Sequence, residues 1–500
     1  MIRFLKILFP AFFIGLISAT IAGFENAGWL QIFALAALWI YLDKQNFQAS
    51  RLQAWLGWAF GLGYFSLGLC WIYISLHDVG GMHPLLAIAG VILLSGFLGI
   101  FPAFAVWLGT RFHYRTYSAI AWAAAWTVSE WIRAHIFTGF PWLGFGETQI
   151  NGPFIGVIPI FGSLGGTFAV MWAAQQFGSI PRKLFIPLIS VGLAVLCSSF
   201  FENSDYTKPI GKLLEVRLIQ GNFLQPLYTD AESARKQVNF YTQEITSRPN
   251  ELIITPETAL AIPEDFLPAS TFPSLQEFAS STKSHILVGS VGTVGNQYSN
   301  RAAGISPNAS RYIYDKTHLV PFGEYVPPGF KWFINAFQVP LSDFAAGTSN
   351  QGNFKISREN QPDLFAAVTI CYEDVFGDEL SKRIRNLNTP TNLIVNMTNL
   401  AWFGDSQAPN QQLKLARLRS LETGLPTVRA TNTGATAIID HNGRVINQLA
   451  GFTQDKLVGS IQARSGRTPY TNWGDSPILF FSLLILLSSY LKKRKESQYL

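Results

Sequence analysis

Three residues that could do the chemistry of an enzyme each stand at the end of an apolar, β-rich run. Cys371 follows LFAAVTI, Glu257 ends ELIITPE, and Lys316 ends RYIYDK. A thiol at a strand-to-helix turn meets backbone N–H groups and the positive end of a helix, which together favour a thiolate. A carboxylate could take the thiol proton, and a lysine could stabilise a developing oxyanion. The three residues therefore predict nucleophilic catalysis by a cysteine.

Each of these residues also has a plain structural interpretation. Cys371 could be a buried core cysteine, Glu257 could cap the segment that follows it, and Lys316 could be a solvated surface lysine. His318 offers a second base, because a Cys–His pair is another common way to activate a thiol. The spacing of the residues leaves the choice between Glu257 and His318 open.

The elements that must position these residues lie in a polar stretch, 213–465, which predicts one layered α/β domain. Its strands are predicted from LEVRLIQGN, ELIITPE, HILVGSVG, LFAAVTICYED and TNLIVNMTN. The run APNQQLKLARLRSLETG has helical spacing and ends at Gly424, and Asn442-Gly443 between apolar runs predicts a hairpin. Active sites in such folds gather at strand ends.

Long apolar runs flank this domain and predict a membrane protein. They lie at about 7–24, 28–42, 54–76, 84–110, 117–137, 153–177, 184–201 and 477–491. A helix needs roughly 20 apolar residues to cross a bilayer. We therefore predict a membrane domain of seven helices over 1–201, a catalytic domain over 213–465, an eighth span at 477–491 and a basic tail at 492–500.

The distribution of charge gives an orientation and excludes some functions. Charged residues are 14% of the 500 residues, against about 25% in soluble domains. The net charge is +4 over 1–201, −1 over 202–475 and +3 over 476–500, so the basic excess lies in the apolar ends and argues against nucleic-acid binding. With a cytoplasmic N-terminus, twelve basic residues fall on the inside and only Arg133 falls in an outside loop. This predicts cytoplasmic termini and a polar domain on the outer face of the membrane, which for a bacterial chain is the periplasmic face of the inner membrane.

Cysteine and histidine usage adds two negative predictions. The three cysteines, Cys70, Cys197 and Cys371, are far apart and form no CxxC pair, so a disulfide framework or zinc ribbon is not expected. The seven histidines show no metal-ligand spacing, so no metal and no cofactor are predicted.

Longer sequence motifs, most of them around these three residues, resemble those of a known family. YDKTHLVPFGEYVP, TICYED, NLAWFGDS, LKLARLRSLETGLPTVRATNTG and EWIRAHIFTGFPWLGFGETQINGP resemble the apolipoprotein N-acyltransferase family. Glu257, Lys316 and Cys371 resemble the Glu-Lys-Cys triad of the wider nitrilase, or carbon–nitrogen hydrolase, superfamily. The resemblance covers nearly the whole chain, and it implies a polytopic α-helical domain of about eight spans joined to an αββα sandwich.

The resemblance also implies residue roles. Cys371 would be the nucleophile, Glu257 the general base and Lys316 the stabiliser of the transition state. A further set of matching residues would line or support the site: Glu324, Tyr372, Glu373 and Trp402. The chain departs from the family's frequent residues at Thr229, Leu400, Asn410 and Gln412, and no binding role is assigned to these four.

The implied reaction moves an acyl chain from a phospholipid, through a cysteine thioester, to the free α-amino group of a lipoprotein's diacylglyceryl cysteine. The partners are then a phospholipid donor, apolipoproteins and the bilayer, with no nucleic acid. One alternative is a membrane-tethered amidase that passes the acyl group to water. Another is a transporter or lipid-binding scaffold with an inactive enzyme domain, although the predicted spans hold few ionisable residues.

The segment 323–347 follows Lys316 directly and carries unusually many apolar side chains for a loop, among them Trp332 and Phe333. Pro327-Pro328 prevents a continuous helix there. We predict an amphipathic lid at the lipid surface, with packing on the domain's own core as the alternative.

Overall fold

The structure is a computed structural model that describes residues 2–45, 50–111, 118–179, 185–202, 204–224, 231–327, 329 and 343–496. The chain divides into two units. The first is Met1–Tyr73, His83–Asp205 and Asn472–Leu500, and the second is Ile74–Met82 and Tyr206–Thr471. Thr229, Trp332 and Phe333 lie outside the described residues, so the lid proposed around Trp332 and Phe333 stays a prediction.

The first unit consists of helices, which the long apolar runs of the sequence form because every backbone polar group must be paired within the element in lipid. The helices are α1 Ile2–Ala22, α2 Ala27–Lys44, α3 Ser50–Gly68, α4 Ile72–Ile74, α5 Pro84–Leu98, α6 Ile100–Arg111, α7 Ser118–His135, α8 Ile158–Gly178 and α9 Phe185–Glu202. A π-helix at Ser75–Val79 and 3-10 turns at Phe145–Asn151 and Ile155–Val157 interrupt them.

Each predicted apolar run overlaps a helix, but the count of eight spans is not confirmed. Among the described residues, five segments are long and apolar enough to cross a membrane: Phe4–Ala22, Pro84–Arg111, Ile155–Gly178, Phe185–Glu202 and Ser476–Lys495. A sixth is reached if Arg51–Gly68 and Ile72–Val79, which meet at 61°, count as one span. The helices α2 and α7 fall short because charged residues dilute them: α2 ends in Asp43 and Lys44, and α7 contains Glu130 and Arg133.

The two charged residues of α7 hold the loop that follows it. The Arg133 guanidinium donates from Nη1 to the carbonyl oxygens of Phe140 and Trp142, at 2.6 Å each. The Glu130 carboxylate accepts a hydrogen bond from the backbone N–H of Phe145 at 3.2 Å. Both side chains are buried, so they serve backbone groups that would otherwise lack partners in an apolar surrounding. This favours a structural interpretation of the EWIRAHIFTGFPWLGFGETQINGP motif.

The second unit alternates strands and helices. Its strands are β1 Thr207–Pro209, β2 Leu214–Gln220, β3 Leu252–Ile254, β4 Leu260–Pro263, β5 His285–Val294, β6 Gln297–Ile305, β7 Tyr312–Asp315, β8 Phe354–Ile356, β9 Leu364–Ile370, β10 Leu393–Thr398, β11 Thr427–Thr431, β12 Ala437–Ile439, β13 Val445–Gln448, β14 Asp455–Ile461 and β15 Arg464–Gly466. Its helices are α10 Ala231–Ser247, α11 Thr271–Thr282, α12 Gly377–Asn386 and α13 Ala408–Thr423. The short α14, Pro469–Trp473, follows at the end of this unit, and α15, Ser476–Glu496, belongs to the first unit.

Two large sheets form the centre of this unit. One has the order β13-β12-β11-β10-β9-β8, and the other has the order β14-β2-β3-β5-β6-β7, with β4 beside β5. The strands β9, β10 and β11 run parallel to one another, as do β2, β3 and β5. The carboxyl ends of parallel strands meet at one edge of a sheet, and each of the predicted strand-end residues Glu257 and Cys371 follows such a strand.

The core residues show how the layers stack. One apolar cluster joins the inner faces of the two sheets, with Leu218 and Ile254 from one and Val368 and Val395 from the other. The outer face of the sheet that contains β2, β3 and β5 packs on α10 and α11. The outer face of the sheet that contains β9, β10 and β12 packs on α12 and α13. The order is therefore helix, sheet, sheet, helix, in agreement with the arrangement that the family resemblance implies.

Candidate active site

Cys371 lies at the sharp turn where β9 ends and a short 3-10 helix, Cys371–Val375, begins. Its φ is +49°, in the left-handed region that residues other than glycine seldom occupy. Such strained positions persist only where the surroundings fix them, and they cluster at functional sites. The side chain is partly exposed, whereas the next four residues of the turn are buried.

A closed ring of buried polar side chains holds this turn. The carbonyl oxygen of Cys371 accepts hydrogen bonds from Gln412 Nε2 at 3.1 Å and from Asn396 Nδ2 at 3.5 Å. Gln412 Nε2 also donates to Asp374 Oδ1 at 3.1 Å, and Asp374 forms an ion pair with the fully buried Arg429. Arg429 in turn donates to Asn396 Oδ1 at 2.7 Å, which closes the ring. The ring fixes the backbone of the cysteine without using its sulfur.

Glu257 is held three residues after β3 by donors from three directions. Its Oε1 accepts from Asn300 Nδ2 at 2.6 Å and from Lys316 Nζ at 3.4 Å. Its Oε2 accepts from the backbone N–H of Asn399 at 2.7 Å, just beyond β10. The carboxylate is buried, so its oxygens have protein partners in place of water.

Lys316 follows β7 directly and is 1% exposed. Its ammonium donates to Glu324 Oε1 at 2.9 Å as well as to Glu257. Its backbone N–H donates to the carbonyl oxygen of Asn300 at 2.8 Å, which ties it to the neighbouring strand β6. A fully buried ammonium between two carboxylates is an arrangement that structural stability alone rarely requires.

The electrostatics of the site keep the thiol neutral at rest and leave a base beside it. Burial raises the pKa of Cys371 well above its ordinary value, and the charge of Glu257 raises it further, although Lys316 acts in the opposite direction. Burial also raises the pKa of Glu257. Burial by itself opposes the charge of Lys316, but the negative groups Glu324 and Glu257 outweigh it and raise the pKa of this lysine. The thiol therefore needs a proton acceptor before it can act as a nucleophile. The positive charge of Lys316 can stabilise negative charge that develops in the site.

Glu373 joins the cysteine turn to the lysine segment. Its Oε2 accepts from the backbone N–H of Ile370 at 2.7 Å, immediately before Cys371. Its Oε1 accepts from the backbone N–H of Thr317 at 2.6 Å, immediately after Lys316, and from the hydroxyl of the same threonine at 2.7 Å. This buried carboxylate thus sets the spacing between the two segments that carry the thiol and the ammonium.

The other predicted residues are less directly connected. His318 stacks on Phe376 with ring centroids 3.8 Å apart, and its Nδ1 lies 3.0 Å from Glu379 Oε1. None of the hydrogen bonds between described residues joins the Cys371 thiol to either candidate base, but the charge of Glu257 acts on this thiol, which favours Glu257 over His318 as base. Tyr372 is buried beside the same phenylalanine, edge to face at 5.1 Å. Trp402 lies partly exposed in the 3-10 turn Ala401–Phe403, which follows Asn399.

Sequence reasoning missed two amides that the structure places in the site. Asn300 bridges the carboxylates of Glu257 and Glu324, at 2.6 and 2.8 Å. Gln412, which the sequence shows only as a departure from the family pattern, supports the carbonyl of Cys371. The only signal for either is a polar residue at a buried position of a strand or helix. Of the other departures, Leu400 is buried and Asn410 is exposed.

Comparisons with known proteins agree with the class of enzyme that this fold and site suggest. Residues 215–470 match the family model described as "Carbon-nitrogen hydrolase", and residues 15–175 match "Apolipoprotein N-acyltransferase N-terminal domain". The second unit is therefore a domain of the carbon–nitrogen hydrolase class. A solved CN-hydrolase superfamily protein from Xanthomonas campestris has 16% identity and a TM-score of 0.38, and covers 50% of this chain and 91% of its own. The class assignment does not depend on that weak likeness.

Full-length relatives then give the particular family. An apolipoprotein N-acyltransferase from Ralstonia nicotianae is 38% identical, over 93% of this chain and 90% of its own. One from Nitrosomonas europaea is 35% identical over 97% of both chains, and one from Haemophilus influenzae is 34% identical over 90% and 88%. This chain belongs to the apolipoprotein N-acyltransferase family.

Proposed function

We propose that the chain is an N-acyltransferase. It moves an acyl chain from a membrane phospholipid to the free α-amino group of the N-terminal diacylglyceryl-cysteine of apolipoproteins, the last step of lipoprotein maturation. The relatives' shared name supports the lipoprotein substrate. The observation that carries the chemistry is the buried Glu257–Lys316 pair, whose charges act on the thiol of Cys371.

In the first half of the reaction, Cys371 is acylated. Glu257 takes the proton from Sγ, and the thiolate attacks the carbonyl carbon of a phospholipid ester. The negative charge that develops on the carbonyl oxygen is stabilised by the ammonium of Lys316. The ester C–O bond then breaks, the leaving oxygen takes the proton back from Glu257, and a lysophospholipid departs. The acyl group remains on the sulfur as a thioester.

In the second half, the α-amino group of the acceptor attacks the thioester carbon, and its proton passes to Glu257. The C–S bond breaks, the amide forms, and Glu257 returns the proton to the sulfur of Cys371. The two substrates thus use the same thiol in turn, which makes the kinetics ping-pong. Glu324, Tyr372, Glu373 and Trp402 are the residues assigned to line or support this site.

The apolar helices fit this reaction because both substrates are lipids. We place residues 1–201 and 477–491 in a bacterial inner membrane, both termini in the cytoplasm and the catalytic domain, 213–465, in the periplasm. The distribution of Lys and Arg supports this orientation. Reporter fusions to the C-terminus test this orientation. A reporter that works only in the cytoplasm should be active there, and a reporter that works only in the periplasm should be inactive.

The identity of the product decides between transfer and hydrolysis. The purified full chain is incubated with phospholipid that carries an isotope-labelled acyl chain and with a diacylglyceryl-cysteine peptide, and the products are separated and weighed. The proposal expects the label in an amide on the peptide's α-nitrogen and an equimolar amount of lysophospholipid. Label released as free fatty acid at the same rate with or without peptide would instead identify an amidase-type hydrolase. Cys371→Ala is the control that should give neither product.

A further inference from the structure

Asn300 occupies a position in the site that the triad chemistry does not explain. From strand β6, its Nδ2 donates one hydrogen bond to Glu257 Oε1 at 2.6 Å and another to Glu324 Oε1 at 2.8 Å. The two carboxylates also share the ammonium of Lys316, at 3.4 and 2.9 Å. Two like charges in one buried site repel each other and compete for protons. Asn300 is a neutral donor that serves both at once.

The orientation of this amide follows from its partners. Only its nitrogen has hydrogens to donate, so the nitrogen must face the two carboxylates, and the oxygen must point away from them. That oxygen is buried and has no hydrogen-bond partner among the described residues. A buried acceptor without a partner lowers stability, and each such group calls for an explanation. The two hydrogen bonds that Asn300 donates supply this explanation. Stability alone would favour a residue that leaves no buried polar atom without a partner.

The backbone fixes where this side chain stands relative to the lysine. Strands β6 and β7 are antiparallel neighbours, and Arg301 lies opposite Asp315 in their register. The carbonyl oxygen of Asn300 accepts from the backbone N–H of Lys316 at 2.8 Å. Truncation of the Asn300 side chain leaves this backbone bond in place, so it removes the two donated bonds to carboxylates and little else.

We propose that Asn300 is a positioning residue for acyl transfer: its amide holds the carboxylates of Glu257 and Glu324 side by side and keeps Glu257 ionised and aimed as the base. The inference rests on the proposed role of Glu257. The charged or titratable groups that face Glu257 are Lys316 beyond β7, Glu324 in the turn that follows, and Cys371 beyond β9. Of these, Lys316 alone favours the ionised carboxylate through its charge. Two hydrogen bonds favour it as well, one from Asn300 Nδ2 to Oε1 and one from the backbone N–H of Asn399 to Oε2, and of these two only the first comes from a side chain.

The sign of the expected pH effect follows directly. A hydrogen bond donated to a carboxylate favours its ionised form, so Asn300 lowers a pKa that burial has raised. A base works only when it has lost its proton, and activity therefore falls as the pH drops through that pKa. Without Asn300 the pKa of Glu257 rises, and the acid limb of the rate profile moves to higher pH.

The test measures the rate of acyl transfer to Cys371 between pH 5 and 9, by mass spectrometry of the full chain in mixed detergent micelles that contain palmitoyl-oleoyl phosphatidylethanolamine. In Asn300→Ala we expect the acid limb to move up by about one pH unit, because one unit is close to the worth of one charge-assisted hydrogen bond. Below the limb the rate falls about tenfold, as a one-unit shift requires, while the KM for phospholipid stays within twofold. Asn300→Ser, whose hydroxyl has one hydrogen to donate, should show a smaller shift of the same sign.

Asn353→Ala is a matched control in the same unit. Asn353 Nδ2 also donates two hydrogen bonds, to the Pro390 carbonyl at 3.0 Å and to the Thr391 hydroxyl at 2.8 Å, and its buried Oδ1 also lacks a partner among the described residues. Since these partners are not ionisable, the acid limb of the rate profile of this variant should lie at the same pH as in the unchanged protein.

The outcomes separate this inference from the proposed function. If the unchanged protein forms no adduct on Cys371, the proposed function fails. If it forms the adduct, and Asn300→Ala has the same limb and rate, the positioning role of Asn300 is wrong while the function stands. If both Asn300 variants fail to fold while Asn353→Ala folds, Asn300 is a structural residue, and the inference is overturned as well.

Discussion

Replacement of Lys316 by methionine removes one charge and keeps the length of the side chain. Lys316 Nζ lies 3.4 Å from Glu257 Oε1 and 2.9 Å from Glu324 Oε1, so its loss leaves two buried carboxylates with Asn300 as their remaining shared donor. Two carboxylates that share one buried site repel each other strongly when both are ionised. One carboxylate therefore takes up a proton, which relieves the repulsion and lets the domain fold.

The expected loss of rate has two parts. Opposite charges 3.4 Å apart attract by about 5 kcal/mol at an effective dielectric constant of about 20. Because this attraction favours the ionised carboxylate, loss of Lys316 raises the pKa of Glu257 further above its ordinary value, and more of the base carries a proton at neutral pH. The missing oxyanion donor costs about 10²–10³ in the rate of acylation. We therefore expect acylation of Cys371 to slow by at least about 10³ at pH 7 and to recover partly as the pH rises, because only the first loss is reversed by deprotonation.

Single-turnover acylation, followed by mass spectrometry from pH 6 to 9, measures both parts. Lys283→Met is the control, because Lys283 is exposed and pairs only at the surface, with Glu359 at 2.6 Å. That variant should keep its rate within twofold. A Lys316→Met protein that is folded and acylates within about threefold of the unchanged rate would refute the role of the lysine. A large loss that does not lessen with rising pH would refute the electrostatic link to Glu257.

Three further predictions address the remaining site residues. Glu257→Gln should abolish acylation, because an amide cannot take the thiol proton, whereas His318→Gln should keep most of it; single-turnover rates check this, and the reverse ranking would make the histidine the base. Gln412→Leu leaves Asp374 Oδ1 without this donor and the carbonyl of Cys371 with only the 3.5 Å contact from Asn396, which costs about 1–3 kcal/mol of unfolding free energy; the unfolding temperature and kcat should both fall, and an unchanged kcat contradicts a part in holding the nucleophile. Cys70→Ala and Cys197→Ala should retain full activity and acyl adduct, and a loss in either variant argues that a second thiol takes part.

The positions of Glu257, Lys316 and Cys371 at strand ends could be predicted because they depend on local patterns. Glu257, Lys316 and Cys371 each follow an apolar run that forms a strand, namely β3, β7 and β9. A buried strand must end where polar residues begin, and in parallel layers those ends converge. The same local logic holds for α13, which ends before Gly424 with φ +66°, and for the hairpin turn at Gly443 with φ +71°.

The supporting amides could not be predicted, because their partners are set by three-dimensional packing. Gln412 reaches the carbonyl of Cys371 from a helix 41 residues away, and Asn300 reaches Glu257 from a strand 43 residues away. A buried polar residue in a periodic pattern signals that it needs a partner, but the pattern does not say which one. The Cys371 side chain likewise gives no sign of its positive φ, which depends on the ring of hydrogen bonds beneath it.

The predicted count of eight spans is not confirmed, for a related reason. Hydropathy depends only on the composition of a run, and the runs around α2 and α7 are apolar enough to be predicted as spans. The helices that form there contain or end in charged residues, and in α7 the charges bond to the loop that follows. Burial inside a bundle of helices selects apolar residues as strongly as lipid does, so composition by itself does not distinguish the two.

In the proposed reaction, the thiol of Cys371 carries the acyl group between two lipid substrates. The most direct measurement is mass spectrometry of the full chain incubated with phospholipid and no acceptor, followed by peptide mapping. We expect a mass increase of one acyl chain, located on Cys371. Neutral hydroxylamine should release this acyl group, and addition of a diacylglyceryl-cysteine peptide should remove it. Acyl transfer to the peptide without any adduct on Cys371, or undiminished transfer by Cys371→Ala, would contradict it.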